Sequence, residues 1–175
     1  MPIVRPALVA DLPELARVAA LTFPLACPPH TTDEAKAAFI ATHLTEEHFA
    51  GYLADPARDV IVADDEGAIA GYVMNVAGEP ADADVAAAIR IRPTVELSKC
   101  YVHPGHHGAG VAGALMTAAL DAAAARGAAG VWLGVNQENG RAQAFYTKHG
   151  FERVGVKRFL VGERYEDDYV YERPL

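Results

Sequence analysis

The sequence predicts a mixed α/β (α+β) layer fold in one domain, residues 1–175. Segments with the apolar spacing of strands and of helices follow one another along the whole chain, and neither an internal repeat nor a linker divides it. Hydrophobic residues make up 51% of the chain, which is enough for a packed core and argues against global disorder.

The N-terminal part is predicted to be mainly helical. A short strand over residues 3–6 precedes a helix over 11–21, which Asp11 would cap. Three prolines in residues 22–29 predict a loop, because proline lacks the N–H that a helix needs. Threonines that can serve as N-caps predict further helices over 32–43 and 45–53.

The next part is predicted to be strand-rich. Residues 60–63 and 68–76 flank a turn that contains Gly67, and this pattern predicts a hairpin. Residues 78–88 are polar and alanine-rich and predict a surface excursion, and residues 89–102 alternate as expected for a long central strand.

The C-terminal part alternates between helices and strands. The predicted elements are a helix over 111–126 ended by Gly127 and Gly130, a buried strand over 131–135, a helix over 139–149, and strands over 151–156, 158–161 and 168–172.

Charge and composition exclude several classes of protein. The formal net charge of −8 argues against sequence-independent binding to nucleic acid or to an anionic membrane, and it is compatible with cationic substrates. No apolar run reaches the ~20 residues that span a bilayer, and no signal peptide is recognisable. The two cysteines, Cys27 and Cys100, are not paired as in a zinc motif or a disulfide framework. We expect a cytoplasmic protein.

The most informative stretch is the glycine-rich turn between the central strand and the helix that follows it. A helix start exposes N–H groups without partners at the positive end of the helix dipole, and glycines let an anion approach closely. This arrangement predicts a phosphate or pyrophosphate site. The residues expected to line it are His107, Gly108, Ala109, Gly110, Val111, Ala112 and Gly113.

Two other interpretations of this turn are weaker. Residues 108–113 spell the GxGxxG of dinucleotide-binding proteins, but five residues separate Val102 from Gly108, and an acidic residue does not follow at the required distance. Three histidines, His103, His106 and His107, crowd the turn without a fourth ligand at suitable spacing, so no metal site is expected.

Residues 131–151 resemble the second signature of the GNAT N-acetyltransferase superfamily, in which a hydrophobic strand precedes Asn-x-x-Ala-x-x-Phe-Tyr and then Gly-Phe. The residues in register are Asn139, Ala142, Phe145, Tyr146, Gly150 and Phe151. The glycine-rich turn resembles the acetyl-CoA pyrophosphate loop of that family, Arg/Gln-x-x-Gly-x-Gly/Ala, with His107 in the Arg/Gln position.

The resemblance implies a mostly antiparallel sheet of six to seven strands, flanked by four to five helices and splayed between the fourth and fifth strands. It implies that acetyl-CoA is the cosubstrate, whose acetyl group passes directly to a primary amine without an acyl-enzyme. Backbone groups of Cys100, Tyr101 and Val102 would bind the pantetheine arm and polarise the thioester carbonyl. Asn139 would contact acetyl-CoA and also cap its own helix.

Two residues are candidates for proton transfer. The resemblance implies that Tyr146 is the general acid, and a phenol pKa of about 10 against ~8.5 for a thiol is compatible with protonation of the leaving thiolate. Tyr146 as a core aromatic beside Phe145 is the alternative. Some family members place a general base where Glu96 lies, and an ordinary solvent-facing strand residue is an equally good interpretation of Glu96.

The acceptor is predicted less directly. The chain looks closest to bacterial spermidine/spermine acetyltransferase relatives, and its C-terminal acidic residues would suit a polyamine, although a solvated hairpin is as good an interpretation. These residues are Glu163, Glu166, Asp167 and Asp168. A peptide amine is a further acceptor, and a non-catalytic acyl-CoA sensor on the same fold is the alternative function. A homodimer is a reasonable expectation for a soluble enzyme.

Overall fold

The computed structural model describes residues 1–175, apart from the side chain of Phe159. Its strands are β1 (Ile3–Pro6), β2 (Arg58–Asp65), β3 (Ala68–Ala77), β4 (Thr94–Val102), β5 (Gly130–Asn136), β6 (Glu152–Val161) and β7 (Arg164–Pro174). Its α-helices are α1 (Leu12–Ala26), α2 (Asp33–His43), α3 (Glu46–Ala54), α4 (Ala83–Ala88), α5 (Val111–Ala125) and α6 (Gly140–Lys148).

The strands form one sheet in the order β1-β2-β3-β4-β5-β7-β6. Neighbouring strands are antiparallel except β4 and β5, which are parallel. The helix α5 connects these two strands, as a parallel connection requires. The predicted mixed and mostly antiparallel fold is confirmed.

The sheet opens between β4 and β5. They pair only where Thr94, Val95 and Glu96 face residues 130–132, at the start of both strands. On its other edge β4 carries a bulge at Ser98, because Met74 pairs with Lys99 and the next residue of β3 pairs with Leu97. A bulge bends a strand and increases its twist, which is compatible with β4 turning away from β5. The predicted splay between the fourth and fifth strands is confirmed.

Helices cover both faces of the sheet. Leu115 and Met116 of α5 are buried against one face, in the same cluster as Val73 of β3. Leu15 of α1 and Phe49 of α3 are buried against the opposite face around Tyr72. Adjacent residues of β3 therefore belong to different cores, as the alternation of a strand requires.

The loop predicted from Thr22 is wrong at its start, because α1 continues to Ala26 and includes Pro24. Proline in the last turn removes one hydrogen bond, whereas continuing the helix buries Thr22 and Phe23. The Thr22 hydroxyl also donates to the Val18 carbonyl at 2.8 Å. Asp11 begins the helix but does not cap it through its side chain, which binds Arg5 instead.

The segment before β4 also differs from the prediction. Asp82 caps α4, where a surface excursion was expected, and Val85 of α4 is buried. This helix raises the number of described α-helices to six. The central strand begins at Thr94 and not at residue 89, because Pro93 lacks an N–H and the Glu172 carboxylate accepts the N–H groups of residues 90 and 91.

The C-terminal strands are longer than predicted. Residues 151–161 were expected to form two strands, and the structure has one, β6, paired with β7 along its length. Gly162 at the turn between them has a φ of +66°, which glycine adopts without strain. The described part of the chain contains no helix that is both long and apolar enough to cross a membrane.

Candidate active site

A cavity of about 530 Å³ lies where β4 and β5 separate. The residues Ala142 and Tyr146 of α6 border it on one face of the sheet, and Phe39 and Tyr52 of α2 and α3 border it on the other. The opening therefore passes through the sheet. Two molecules can approach each other in it from opposite faces.

The glycine-rich turn lies beyond the end of β4. Gly108 and Gly110 have φ values of +81° and +78°, which only glycine adopts readily. The helix α5 then starts at Val111, and its first intrahelical bond is donated by Ala114 to the Gly110 carbonyl. Among the hydrogen bonds of the described residues, none is donated by the N–H groups of Gly108, Gly110 or residues 111–113. These groups can bind a phosphate oxygen.

His107 folds back toward the strand. Its Nε2 lies 3.1 Å from the Val102 carbonyl oxygen. The Nη2 of Arg141 donates a hydrogen bond to its Nδ1 at 3.2 Å. Because Nδ1 accepts a hydrogen bond from arginine, Nε2 carries the imidazole hydrogen and donates a hydrogen bond to the carbonyl. The arrangement brings the exposed guanidinium of Arg141, in the first turn of α6, beside the glycine-rich turn.

The helix α6 supplies two predicted site residues. Asn139 caps it, since its side-chain oxygen accepts the N–H of Ala142 at 3.1 Å. About two helix turns after Asn139, Tyr146 lies in the cavity wall. Burial raises the pKa of the Tyr146 phenol well above its usual value, and the nearby Cys100 and Tyr101 raise it further. Tyr146 is therefore protonated at neutral pH.

The strand β4 supplies Glu96, Lys99, Cys100 and Tyr101 to the cavity wall. Burial raises the pKa of Glu96, although the charges of Lys157, Lys99 and Arg58 oppose the shift. Burial lowers the pKa of Lys99 to about 8. Burial also raises the pKa of Cys100 to about 12, so that its thiol is not a thiolate nucleophile at neutral pH.

The strand β7 supplies two buried carboxylates, Glu166 and Asp168. Glu166 accepts a hydrogen bond from His30 at 2.7 Å, and the other ring nitrogen of His30 lies 3.5 Å from Glu138. Burial raises the pKa of Asp168 to about 6, and the positive charge of Lys157 partly opposes this shift.

Metal-ligating side chains come together at one place outside the predicted histidine cluster. His30, Glu138 and Glu166 each offer a ligand atom within 4.8 Å of the others. The closest contacts of His30 use opposite ring nitrogens, so its ring lies between the two carboxylates. In the glycine-rich turn, His103 accepts the N–H of Gly105, while His106 contacts Asp65.

The structure brings the predicted residues Glu96, Cys100, Tyr101, Asn139 and Tyr146 together around one cavity. Of the four C-terminal acids, Glu163 and Asp167 are exposed, and only the other two line the cavity. Sequence reasoning missed Lys99 and Arg58. Regular alternation would place Lys99 on the opposite face from Glu96, but the bulge at Ser98 puts both on one face, opposite Met74 and Val76.

Residues 23–151 match the sequence profile of the Acetyltransferase (GNAT) family. The chain belongs to this family. Membership confirms the predicted class of enzyme, an N-acetyltransferase that uses acetyl-CoA as cosubstrate, and the unpaired N–H groups of the glycine-rich turn fit that molecule.

Several relatives match this chain over nearly its whole length. An uncharacterized N-acetyltransferase of Mycobacterium tuberculosis is 47% identical over 167 residues, which cover 95% of this chain and 99% of that protein. The structure of the PaiA N-acetyltransferase of Thermoplasma acidophilum in complex with coenzyme A matches with a TM-score of 0.78 at 17% identity, covering 100% and 99% of the two chains. The ribosomal-protein-alanine N-acetyltransferase of Brucella melitensis matches with a TM-score of 0.66 at 23% identity, covering 99% of each. At 17% and 23% identity, the two structures confirm the fold alone.

Proposed function

We propose that the protein transfers the acetyl group of acetyl-CoA to the primary amine of a small molecule or a peptide, by direct attack of the amine on the thioester. The observation that carries this proposal is the cavity through the sheet, which Tyr146 lines on one face of the sheet and Glu96 of β4 lines on the other.

The glycine-rich turn is proposed to bind the pyrophosphate of acetyl-CoA. Its N–H groups at residues 108 and 110–113 supply donors at the positive end of α5. The family loop has Arg or Gln where this chain has His107, and His107 is turned back onto Val102. Arg141 lies next to it, and we assign to Arg141 the positive charge that His107 does not supply.

The edge of β4 beyond Glu96 is proposed to hold the pantetheine arm. No described residue of β5 pairs with β4 past Glu96. The His103 N–H bonds to Ala70 of β3, so by alternation the backbone groups of Tyr101 face β3 and those of Cys100 and Val102 face the free edge. The Cys100 groups and the Val102 N–H are therefore available to a ligand. An N–H from this edge would polarise the thioester carbonyl as charge develops on its oxygen. Asn139, which borders the same cavity, would contact the bound arm.

Tyr146 is proposed to donate a hydrogen bond to the leaving sulfur. Its phenol lies near Cys100, on the β4 edge where the thioester would bind. Burial makes this phenol a weaker acid than an ordinary tyrosine, so a hydrogen bond to the developing thiolate contributes more than complete proton transfer does.

Glu96 is proposed to accept the proton of the attacking amine, directly or through a water molecule. It lies at the last point of contact between β4 and β5, within the cavity. Burial raises its pKa, and a carboxylate with a raised pKa is a stronger base than an exposed one.

The polyamine acceptor stays a prediction. It depends on four acidic residues of the C-terminal hairpin, and two of them, Glu163 and Asp167, lie outside the cavity. The cytoplasmic location and the homodimer likewise stay predictions.

Thiol release from acetyl-CoA in the presence of an amine panel tests the proposed function. The panel contains polyamines, aminoglycosides, amino acids and peptides. We expect thiol release with at least one class of amine. That amine should gain about 42 Da, because an acetyl group replaces one hydrogen on its nitrogen. Tight CoA binding without release from any amine would support the sensor and contradict the enzyme.

A further inference from the structure

The wall of the cavity formed by β2, α3 and β4 carries two cations and one carboxylate, Glu96. Arg58 at the start of β2 and Lys99 of β4 both line it. Their charged groups lie 4.8 Å and 5.9 Å from the ring centre of Tyr52. One aromatic ring therefore lies against both cations and holds them on the same side of the cavity.

Lys99 has no close anionic partner among the described residues. No carboxylate oxygen lies within 4.0 Å of its Nζ, although the charge of Glu96 acts on it from a greater distance. Arg58 donates through Nε to Asp55 at 3.0 Å and through Nη1 to the sulfur of Met74 at 3.8 Å. Its Nη2 donates no hydrogen bond to a described residue. A half-buried ammonium without a hydrogen-bonded anion is unfavourable unless a ligand supplies one.

These cations are not placed for the phosphates of acetyl-CoA. The glycine-rich turn follows Val102, at the far end of β4. Arg58 pairs with Val76, which in turn pairs with Glu96, so Arg58 lies level with the opposite part of the strand. The acceptor is the molecule that can reach Arg58 and Lys99 together.

The opposite wall carries two carboxylates and one lysine, Lys157 of β6, which pairs with Asp168. Asp168 and Glu166 of β7 are buried there, and β5 separates them from β4. Two strand spacings correspond to roughly 10 Å in a regular sheet, and the splay adds to this separation. With Glu96 counted beside Arg58 and Lys99, and Lys157 beside Asp168 and Glu166, an acceptor between the walls meets a net negative charge on one side and a net positive charge on the other.

We infer that the acceptor is amphoteric: its amine lies in the opening between Glu96 and the Asp168 wall, and an anionic group such as a carboxylate binds Lys99 and Arg58. The inference rests on the proposed function, since it concerns the acceptor of the same reaction. A polyamine that extends toward α3 would instead place an ammonium beside two cations, which is unfavourable in a partly buried cavity.

Matched acceptors test this inference through thiol release from acetyl-CoA. The probes are ω-amino acids of two to six carbons, monoamines and diamines of the same lengths, and dipeptides with their C-terminal amides. We expect the best acid-bearing acceptor to have a kcat/KM at least about tenfold above the counterpart that lacks the acid group and above the diamine of the same length. This is the size expected for a hydrogen bond to a charged group.

Variants of Lys99 identify the group that binds the anion. Lys99→Met should raise the KM of the best acid-bearing acceptor by about 10- to 100-fold. Lys99→Met should leave the KM of the matching monoamine and of acetyl-CoA within about twofold, because neither is proposed to contact Lys99. Lys99→Arg should retain most of the preference for the acid-bearing acceptor, because arginine keeps the positive charge. Lys148→Met, at the exposed end of α6, is the control and should change neither.

Faster turnover of a diamine or a monoamine than of every acid-bearing acceptor would contradict the amphoteric acceptor and leave acetyl transfer intact. An equal loss with all acceptors in Lys99→Met would assign Lys99 a structural role and contradict the inference as well. Absence of thiol release from every probe and from the wider amine panel would contradict the proposed function together with this inference.

Discussion

Glu96 and Trp132 form the last residue pair between β4 and β5, and the two strands separate beyond it. The side chains on either side of this point show how the opening is used. Trp132 is buried in a small core with Val85 and Val170, whereas Glu96 points into the cavity. The closed part of the pair supports the sheet, and the open part carries the candidate active site.

Gly71 is predicted to be essential for the position of β4. A Cβ at this residue would lie 2.7 Å from the carbonyl oxygen of Tyr101 and 3.2 Å from Cα of Val102. Because these are backbone atoms, Gly71→Ala should destabilise the protein by about 1–3 kcal/mol through overpacking. Urea denaturation measures the change.

Gly51→Ala is the control for that variant. Gly51 lies in α3, and nothing lies within 4 Å of an added Cβ. Alanine should stabilise this helix by about 0.5–1 kcal/mol. Destabilisation of the same size in both variants would show that the contact with β4 is not what makes Gly71 necessary.

Gly108 and Gly127 form a matched pair for testing the glycine-rich turn. Both have a φ of +81°, and an added Cβ meets nothing within 4 Å at either residue. Alanine should therefore destabilise the fold by a similar amount, about 1 kcal/mol, at both positions. Only Gly108→Ala should weaken CoA binding, by about tenfold or more, because its Cβ enters the space in front of the free N–H groups. Calorimetric titration with CoA measures this difference, and equal affinities would refute the assignment of the turn.

Tyr146→Phe is predicted to separate turnover from binding. Loss of the phenol O–H removes the hydrogen bond to the leaving sulfur and should lower kcat by about 10- to 100-fold, near the lower end for general acid catalysis. The affinity for CoA should change by less than about twofold, because the ring remains in place. Tyr165→Phe, on the exposed part of β7, is the control and should retain full activity. Unchanged turnover in Tyr146→Phe would assign the hydrogen bond to another group or to water.

Asp168 is predicted to make stability depend on pH. Burial raises its pKa from 3.8 to about 6, so the folded protein holds this proton more tightly than the unfolded chain does. Stability should therefore fall as the pH rises from about 4 to 6, and above pH 6 the ionised carboxylate costs at most about 3 kcal/mol. Asp168→Asn removes this cost, and it should stabilise the protein at pH 7.5 more than at pH 4.5.

Denaturant titrations at the two pH values measure the effect of Asp168→Asn. Glu163→Gln, exposed in the turn between β6 and β7, should give nearly the same difference from the native protein at both pH values, because its charge does not act on Asp168. A pH-independent effect of Asp168→Asn would show that burial does not shift the titration of this carboxylate.

Much of the local structure could be predicted from the sequence. Thr32, Thr45 and Asn139 are predicted N-caps, and each accepts a backbone N–H at the start of its helix. Capping depends on residues within one helical turn, so the residues next to a helix start largely determine where the helix begins. The end of α1 could not be predicted in this way. The burial of Phe23 against the rest of the core keeps Pro24 helical.

The sequence by itself predicted the proposed acetyl-CoA half of the candidate site. The glycine-rich turn and the segment from Asn139 to Tyr146 are contiguous, and their function depends on local backbone geometry and on helix starts. Only the tertiary structure decided the acceptor half. The bulge at Ser98 turns Lys99 to the face of Glu96, and strand pairing places Asp168 on the far side of β5 from both. Register and bulges depend on contacts between strands that are distant in the sequence, and residue types along one strand do not specify them.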